Sequence, residues 1–254
     1  VIMKRFFSIL LYSNIMYVQA QENKHFNDTT LLQPVEINAV RAQDKTPFAK
    51  TNLGRAEIDK NNIGQDLPFI LNQVPSVVVN SDAGNGMGYT NIRLRGSDAS
   101  RLNVTLNGVP FNDAESQGTF FVDIPDIASS AGSIQVQRGV GTSTNGAGAF
   151  GGSIHVNTNE LITEKNLQLF SSAGSYSSFR NTLVFNSGLL GKHFTADSRL
   201  SQLQSDGYID RAKSRLRSLY ASTAWLSKKN SLRLNIMTGK EKTYQAWYGI
   251  PEPM

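Results

Sequence analysis

The sequence predicts an α+β domain followed by antiparallel β-strands of an incomplete transmembrane β-barrel. Between residues 45 and 160, short apolar strands, helix signals and glycine-rich loops intermix, as in an α+β domain. From residue 161 onward, segments that alternate polar and apolar residues follow one another, with turn signals between them and no helix signals. Near the N-terminus, an apolar run follows Lys4 and Arg5, as in a secretory signal.

Residues 1–20 are predicted to be a signal peptide that is cleaved on export. The apolar run covers residues 6–18, and Ala20 supplies the small residue before the cut. A buried N-terminal helix is the alternative interpretation. The run is too short to cross a bilayer comfortably, and no other segment is as long. If the mature protein lies in a membrane, it must therefore do so as a β-barrel.

Composition excludes several classes of site. The 254 residues contain no cysteine, which removes disulfides and thiolate metal sites. The net charge of +5 raises the question of nucleic acid, but the basic residues are scattered and no binding motif accompanies them. We therefore expect no nucleic-acid partner.

The segment 45–160 predicts short elements in the following order. Residues 55–61 and 66–73 favour helices, the second with Pro68 near its start and Pro75 beyond its end. Three alternating glycines make residues 82–89 a loop. Strands are predicted at 76–80 (buried), 91–94, 104–106, 134–137 and 154–157, with a turn at Asn107-Gly108 and a short helical turn within 125–131.

The segment 161–254 predicts strands with one polar and one apolar face. The clearest is 192–204, where Thr195 and Arg199 lie on the face opposite Phe194 and Leu200. A soluble antiparallel sheet with one solvated face is the alternative. The other strands are predicted at 166–173, 179–187, 215–226 and 231–238, with tyrosine, tryptophan and phenylalanine near strand ends as in an interfacial girdle. About five strands are too few to close a transmembrane barrel, so we expect an N-terminal piece of a longer protein.

No constellation of residues predicts an enzyme. Gly146, Gly148 and Gly151 match the spacing of a dinucleotide-binding loop, but the residues that follow alternate as a strand and do not begin the required helix. The three histidines show no metal-ligand spacing. Asp113 and Glu115 lie in one loop, with Asp123 and Asp126 shortly after, and solvated loop carboxylates are a simpler interpretation of them than a calcium site. We expect no catalytic residue, no metal and no cofactor.

Two stretches carry a family resemblance when they are taken together. Residues 92–96 read IRLRG and lead to LNGVP at 106–110; residues 133–139 read SIQVQRG and lead, through a glycine-dense loop, to GGSIHVNT at 151–158. In this order, and after a signal peptide, they resemble the plug domain of a TonB-dependent outer-membrane receptor. The resemblance covers nearly the whole chain: a tail at 21–44, the plug at 45–160 and early barrel strands at 161–254.

The resemblance implies a gate rather than an enzyme. Such a plug gates the energy-coupled uptake of a scarce ligand, such as a ferric siderophore or a vitamin. The implied partners are TonB with its inner-membrane motor complex, the ligand, and the lipid of the bacterial outer membrane. A secreted, soluble β-rich binding protein without a transport role is the alternative function.

The resemblance also assigns candidate sites. An extended segment on a loose tether suits strand addition to another protein, so residues 33–40 are the candidate TonB box; an ordinary first strand is the alternative. Arg95 and Arg138 are implied to lock the plug by pairing with barrel carboxylates; simple exposure is the alternative. The TonB-box candidates are Gln33, Pro34, Val35, Glu36, Ile37, Asn38, Ala39 and Val40. The ligand-facing loop candidates are Asn85, Met87, Tyr89, Phe111, Asn112, Asp113, Glu115 and Gln117.

Overall fold

The computed structural model describes residues 41–43, 45–141, 145–146, 148–227 and 229–244. These residues all fall in one compact unit, Pro34–Met254. The predicted signal peptide, the TonB-box candidate and residues 245–254 lie outside the described residues. Two parts follow one another: an N-terminal domain of residues 41–160 and a C-terminal sheet of residues 165–244.

The N-terminal domain is built on a five-stranded mixed sheet. Its strands are β1 (Lys50–Gly54), β4 (Leu102–Leu106), β5 (Val109–Pro110), β6 (Ser133–Arg138) and β7 (Gly152–Asn157), in the order β1-β6-β7-β4-β5. Strands β4 and β7 run parallel, and the other neighbours are antiparallel. A separate ribbon pairs β2 (Val77–Ser81) with β3 (Thr90–Leu94). The helices are α1 (Arg55–Asn61), α2 (Leu67–Ile70) and the 3₁₀ turns Ala99–Arg101, Phe121–Asp123 and Ile127–Ser130.

The two faces of the central sheet are both buried but differ in chemistry. Ile134, Val136 and Ile154 are fully buried on one face, where they pack against the helices in a single apolar core. On the other face, residues such as Gln135 and His155 are buried with polar side chains. Because side chains alternate along a strand, the sequence pattern of β6 and β7 encodes both faces.

Two predicted elements differ from the observed ones. The helix predicted at 66–73 is one turn, Leu67–Ile70, after which the chain continues in turns closed by short-range bonds such as Val74 N–H to the Leu71 carbonyl (2.9 Å). The strand predicted at 76–80 is present as β2, but it is not buried throughout. Val78 is 62% exposed because β2 pairs with a single neighbour in a ribbon.

Glycine is favoured at two positions of the N-terminal domain, once by a turn and once by a close approach of the backbone. Asn107 and Gly108 both have positive φ (54° and 84°), as the predicted two-residue hairpin turn between β4 and β5 requires. Gly152 has a φ of 149° at the start of β7. A Cβ there would lie 2.4 Å from both the Gln137 carbonyl oxygen and Leu94 Cδ2, so a side chain has no room.

The C-terminal sheet confirms the predicted series of antiparallel strands. It consists of β8 (Lys165–Gly174), β9 (Ser178–Ser187), β10 (Phe194–Ser205), β11 (Lys213–Leu226) and β12 (Ser231–Tyr244), in the order β12-β11-β10-β9-β8. The sheet is open, with β8 and β12 at its edges. Neither helix in the described residues has the length and apolarity needed to cross a membrane.

The two faces of the C-terminal sheet have opposite polarity. The face toward the N-terminal domain is buried and mostly polar, with residues such as Thr182, Arg199 and Ser222. The outer face exposes large apolar side chains: Leu167, Leu169, Leu183, Phe185, Phe194, Leu200, Trp225, Leu232, Leu234 and Ile236. A sheet that is polar inside and apolar outside has the pattern of a membrane barrel wall rather than of a soluble sheet.

Candidate functional site

The N-terminal domain presents one buried carboxylate to the inner face of the C-terminal sheet. Asp126 stands immediately before the 3₁₀ turn Ile127–Ser130, and its side chain is fully buried. Its φ of 53° is left-handed, a conformation that aspartate tolerates better than most residues. This conformation places the carboxylate at the contact between the two parts of the molecule.

Side chains from two strands of the C-terminal sheet converge on this carboxylate. From β10, Arg199 Nη1 donates to Asp126 Oδ2 (2.8 Å) and to the Asp126 carbonyl oxygen (2.6 Å). The Ser201 hydroxyl donates to Oδ2 as well. From β9, Arg180 Nη2 lies 3.9 Å from Oδ1. Within the N-terminal domain, the Ser129 hydroxyl donates to Oδ1 (2.5 Å).

The cluster of Asp126, Ser129, Arg180, Arg199 and Ser201, called here the Asp126 cluster, holds two arginines against one carboxylate. The second guanidinium is stabilised by neutral acceptors of the N-terminal domain: Arg180 donates to the Asn62 carbonyl oxygen (2.5 Å) and to Ser129 Oγ (2.8 Å). Arg199 is only 4% exposed. A buried charge without its partner costs about 3–5 kcal/mol, so this cluster specifies how the two parts dock.

Other polar contacts extend the docking surface over β11 and β12. The Tyr220 hydroxyl lies 3.2 Å from both Thr158 Oγ1 and the Thr158 carbonyl oxygen. On β12, Asn235 donates to Asn159 Oδ1 (2.8 Å). Contacts of this polar kind resemble those of interfaces that can separate, in contrast to the apolar core of the N-terminal domain.

The first predicted ligand-facing loop, residues 82–89, is pinned to the C-terminal sheet. Asn85 donates to the Ala212 carbonyl oxygen (2.9 Å). Met87 is 8% exposed and packs against Leu203 and Leu216. Tyr89 is half-buried. Met87 therefore faces strands β10 and β11, and ligand contact by this loop stays a prediction.

A cleft of about 700 Å³ opens between this loop and strands β8 to β10. Asn85 and Met87 line one side. Tyr176 and Tyr208, from the β8–β9 and β10–β11 connections, line its rim, with ring centroids 6.2 Å apart. The cleft is large enough for a small-molecule ligand.

The second predicted loop, residues 111–121, is braced by its own side chains. Asn112 donates to the Leu102 carbonyl oxygen (2.8 Å) and accepts from the Val104 N–H (2.9 Å). Asp113 accepts from the Ser116 N–H (2.7 Å), and this backbone hydrogen bond lowers the pKa of its carboxyl. Phe111 is half-buried, and Asp113, Glu115 and Gln117 are exposed. Ligand contact by these residues also stays a prediction.

The two arginines predicted to lock the plug contact other residues of the N-terminal domain. Arg138 donates to Thr51 Oγ1 (2.6 Å) and to the Lys50 carbonyl oxygen (3.4 Å) of β1. Arg95 is exposed and lies against Gly139. In the part of the chain that the structure describes, no ion pair joins either arginine to β8–β12. Their pairing with barrel carboxylates stays a prediction.

Sequence reasoning missed the Asp126 cluster. The available signal was Arg199, which lies on the polar face predicted for strand 192–204. Asp126 gave no signal of its own, because an aspartate after a proline in a short turn has the ordinary composition of a loop. Only the fold brings residues 73 positions apart into contact.

The described end of the tail is fixed to the polar face of the central sheet. Ala42 N–H donates to Gln135 Oε1 (2.7 Å), and Gln135 Nε2 donates to the Ala42 carbonyl oxygen (3.1 Å). One glutamine side chain thus pairs with both backbone groups of Ala42, as a neighbouring strand would. Arg41 adds hydrogen bonds to Ser133 and to the His155 carbonyl oxygen.

Comparisons with known proteins agree with this architecture. Residues 42–153 match the family model described as the TonB-dependent Receptor Plug Domain. A search of curated proteins found no match. Among solved structures, the chain is similar to the siderophore receptor PirA from Acinetobacter baumannii (19% identity, TM-score 0.58, 76% of this chain and 31% of that chain).

Two further solved structures are similar. They are the ferric-catecholate import receptor Fiu from E. coli K12 (21% identity, TM-score 0.60, 77% of this chain and 27% of that chain) and the copper transporter OprC (20%, 0.63, 82% and 32%). At these identities the likeness concerns the fold, and the chain spans about a third or less of each receptor. Residues 42–153 therefore match the plug domain of TonB-dependent receptors, and this domain is docked on an open antiparallel sheet of a fold that such receptors share.

Proposed function

We propose that the protein is an outer-membrane receptor that takes up a scarce ligand, such as a ferric siderophore or a vitamin, and that its plug gates this uptake. The observation that carries the proposal is the docking of the plug through the Asp126 cluster on the polar inner face of a sheet whose outer face is apolar. The polar side of such a wall faces a lumen, and the apolar side faces lipid.

TonB, with its inner-membrane motor complex, is the proposed source of force. Residues 33–40 are the proposed attachment segment, since an extended strand can add to a partner's sheet edge. The chain just beyond this segment is held by Gln135 on β6. A pull on the tail would therefore act directly on the central sheet of the plug.

Solved structures of similar fold support only a broad class of ligand for this protein. Solved structures of similar fold include siderophore receptors and a copper transporter. In this chain, the cleft beside residues 82–89, with Tyr176 and Tyr208 at its rim, is the proposed place of ligand contact. The two exposed rings offer aromatic surface for stacking.

Growth of a deletion strain on defined sources tests the proposed function. The strain is supplied in turn with single ferric siderophores, vitamins or copper complexes as the limiting nutrient. Growth on at least one source should fail and should return with the wild-type gene. A gene lacking codons 33–40 should not restore it, although the protein still reaches the outer membrane. Normal growth on every source, or recovery of the protein in the soluble periplasmic or secreted fraction, would favour the soluble binding protein instead.

A further inference from the structure

The outer face of the C-terminal sheet changes chemistry abruptly along its strands. Strand pairing aligns outward-facing residues into rows that cross the sheet. Toward the β8–β9 and β10–β11 connections, the last apolar row is Leu169, Leu183, Leu200, Leu219 and Thr238. The next two rows are Ser171, Asn181, Gln202, Arg217, Lys240 and then Ala173, Phe179, Gln204, Arg215, Lys242.

Four cations therefore face outward together on β11 and β12. Arg217 lies directly opposite Lys240, and Arg215 lies directly opposite Lys242. All four side chains are exposed. Like charges directly opposite each other across a strand pair are destabilising, so this arrangement has a cost in the isolated sheet.

None of the four cations forms an ion pair within the described residues. The loop carboxylate Asp206 pairs with Lys213 (2.8 Å) and also attracts Arg215, with which it forms no ion pair. Glu241, between the two lysines of β12, lies on the opposite, inner face, since side chains alternate along the strand. In the described part of the chain, no carboxylate lies within ion-pairing distance of the four. An anion bound beside the opposed pairs would relieve the repulsion within them.

A groove of about 500 Å³ connects the cations to the apolar row. Its apolar part is formed by Leu169, Leu183, Leu200 and Leu219, and its polar end by Gln202, Arg217 and Lys240. An occupant that matches this groove is apolar along most of its length and carries an anionic group at one end. Phosphate suits that end, because arginine binds it through two parallel hydrogen bonds and lysine adds a point charge.

We propose that this groove binds a phosphorylated lipid of the surrounding leaflet, with an acyl chain on the leucine row and a phosphate between Arg217 and Lys240. This inference rests on the proposed outer-membrane location. It goes beyond gating, because it assigns a specific lipid contact to the outside of the wall. The lipid phosphate compensates the charge of the opposed cation pairs, and the contact sets the depth of β11 and β12 in the bilayer.

Lipid binding to the full-length protein tests the proposal. The protein is purified in a neutral detergent and titrated with bisphosphorylated lipid A, and the bound lipid is counted by native mass spectrometry. The substituted protein carries Arg217→Gln and Lys240→Gln. Loss of two cations should raise the apparent Kd roughly 30-fold. The charge-preserving pair Arg217→Lys and Lys240→Arg should bind within about threefold of wild type, because the charge is unchanged.

A matched control removes two exposed cations at the opposite end of the sheet, Lys165→Gln and Lys229→Gln. It should leave the Kd unchanged. Equal binding by the Arg217→Gln/Lys240→Gln protein, or equal binding of lipid A stripped of its phosphates, would overturn the proposal. Outer-membrane fractionation and heat-dependent gel mobility are recorded for every variant. If the wild type is in the membrane but binding does not depend on the two cations, the lipid site alone is refuted; a wild type outside the membrane refutes the proposed function as well.

Discussion

Replacing Asp126 by asparagine should loosen the docking of the plug. Asparagine has nearly the same shape and tolerates the left-handed φ of 53°, so the change removes charge without disturbing the backbone. Arg199, 4% exposed, then loses its ion pair at 2.8 Å and is left with neutral acceptors, which include the carbonyl oxygen of residue 126 and Ser201 Oγ. Breaking a buried pair in this way costs about 3–5 kcal/mol.

Hydrogen exchange of the full-length protein in detergent measures this effect. If the 3₁₀ turn Ile127–Ser130 exchanges by local opening, a loss of about 3–5 kcal/mol raises its exchange rate roughly 100-fold to 4,000-fold. Asp123→Asn is the matched control, since Asp123 is exposed three residues earlier. Combining Asp126→Asn with Arg199→Gln should cost less than the sum of the two single changes. Unchanged exchange in Asp126→Asn, or strict additivity in the double variant, would refute the reasoning.

Three further outcomes follow from the plug itself. Burial raises the pKa of Asp66 from 3.8 to about 7. Because the unfolded carboxyl ionises first, the contribution of Asp66 to plug stability should be fully present below about pH 4 and should fall by at most about 4 kcal/mol as the pH rises to 7, a slope that belongs to this carboxyl alone. Protection factors of Thr90–Leu94 should show this slope in wild type and in Asp82→Asn but not in Asp66→Asn; the same slope in Asp66→Asn would exclude Asp66 as its cause. Gly152→Ala should destabilise the plug by about 2–6 kcal/mol through strain and overpacking, whereas Gly148→Ala in the same loop meets nothing within 4 Å; equal urea midpoints for the two would contradict this. Gln135→Ala removes both hydrogen bonds to Ala42 and should therefore speed tryptic cleavage after Arg41. The control Gln73→Ala, at an exposed position, should leave the cleavage rate unchanged. Equal cleavage rates in the two variants would show that Gln135 does not hold the tail on the sheet.

Most of the architecture was predictable from local sequence. The alternation in residues 192–204 predicted both faces of β10, because a side-chain period of two is a local property. The Asn107-Gly108 turn was predictable for the same reason, since both residues tolerate positive φ. The helix predicted at 66–73 is too long. Leu67, Ile70 and Leu71 pack into the core, and after Ile70 the chain continues in short turns instead of a second helical turn.

The docking site could not be predicted from sequence in the same way. Arg180, Arg199 and Asp126 meet only when the plug settles on the sheet, and sequence carries no direct signal for contacts between residues so far apart. The resemblance directed attention to Arg95 and Arg138, whose proposed partners are not among the described strands. Met87 is predicted to face ligand from its place in a glycine-rich loop, and this stays a prediction; no signal in the sequence indicated that its side chain also packs on Leu203 and Leu216.

Accessibility along β12 tests the central claim most directly. The 254 residues contain no cysteine, so single cysteines at positions 232–237 of the full-length protein in membranes can each carry a spin label. If the sheet separates lipid from plug, labels at Leu232, Leu234 and Ile236 collide freely with molecular oxygen, and labels at Arg233, Asn235 and Met237 do not. The account predicts this period of two. Uniform accessibility to a water-soluble nickel reagent at all six positions would contradict it.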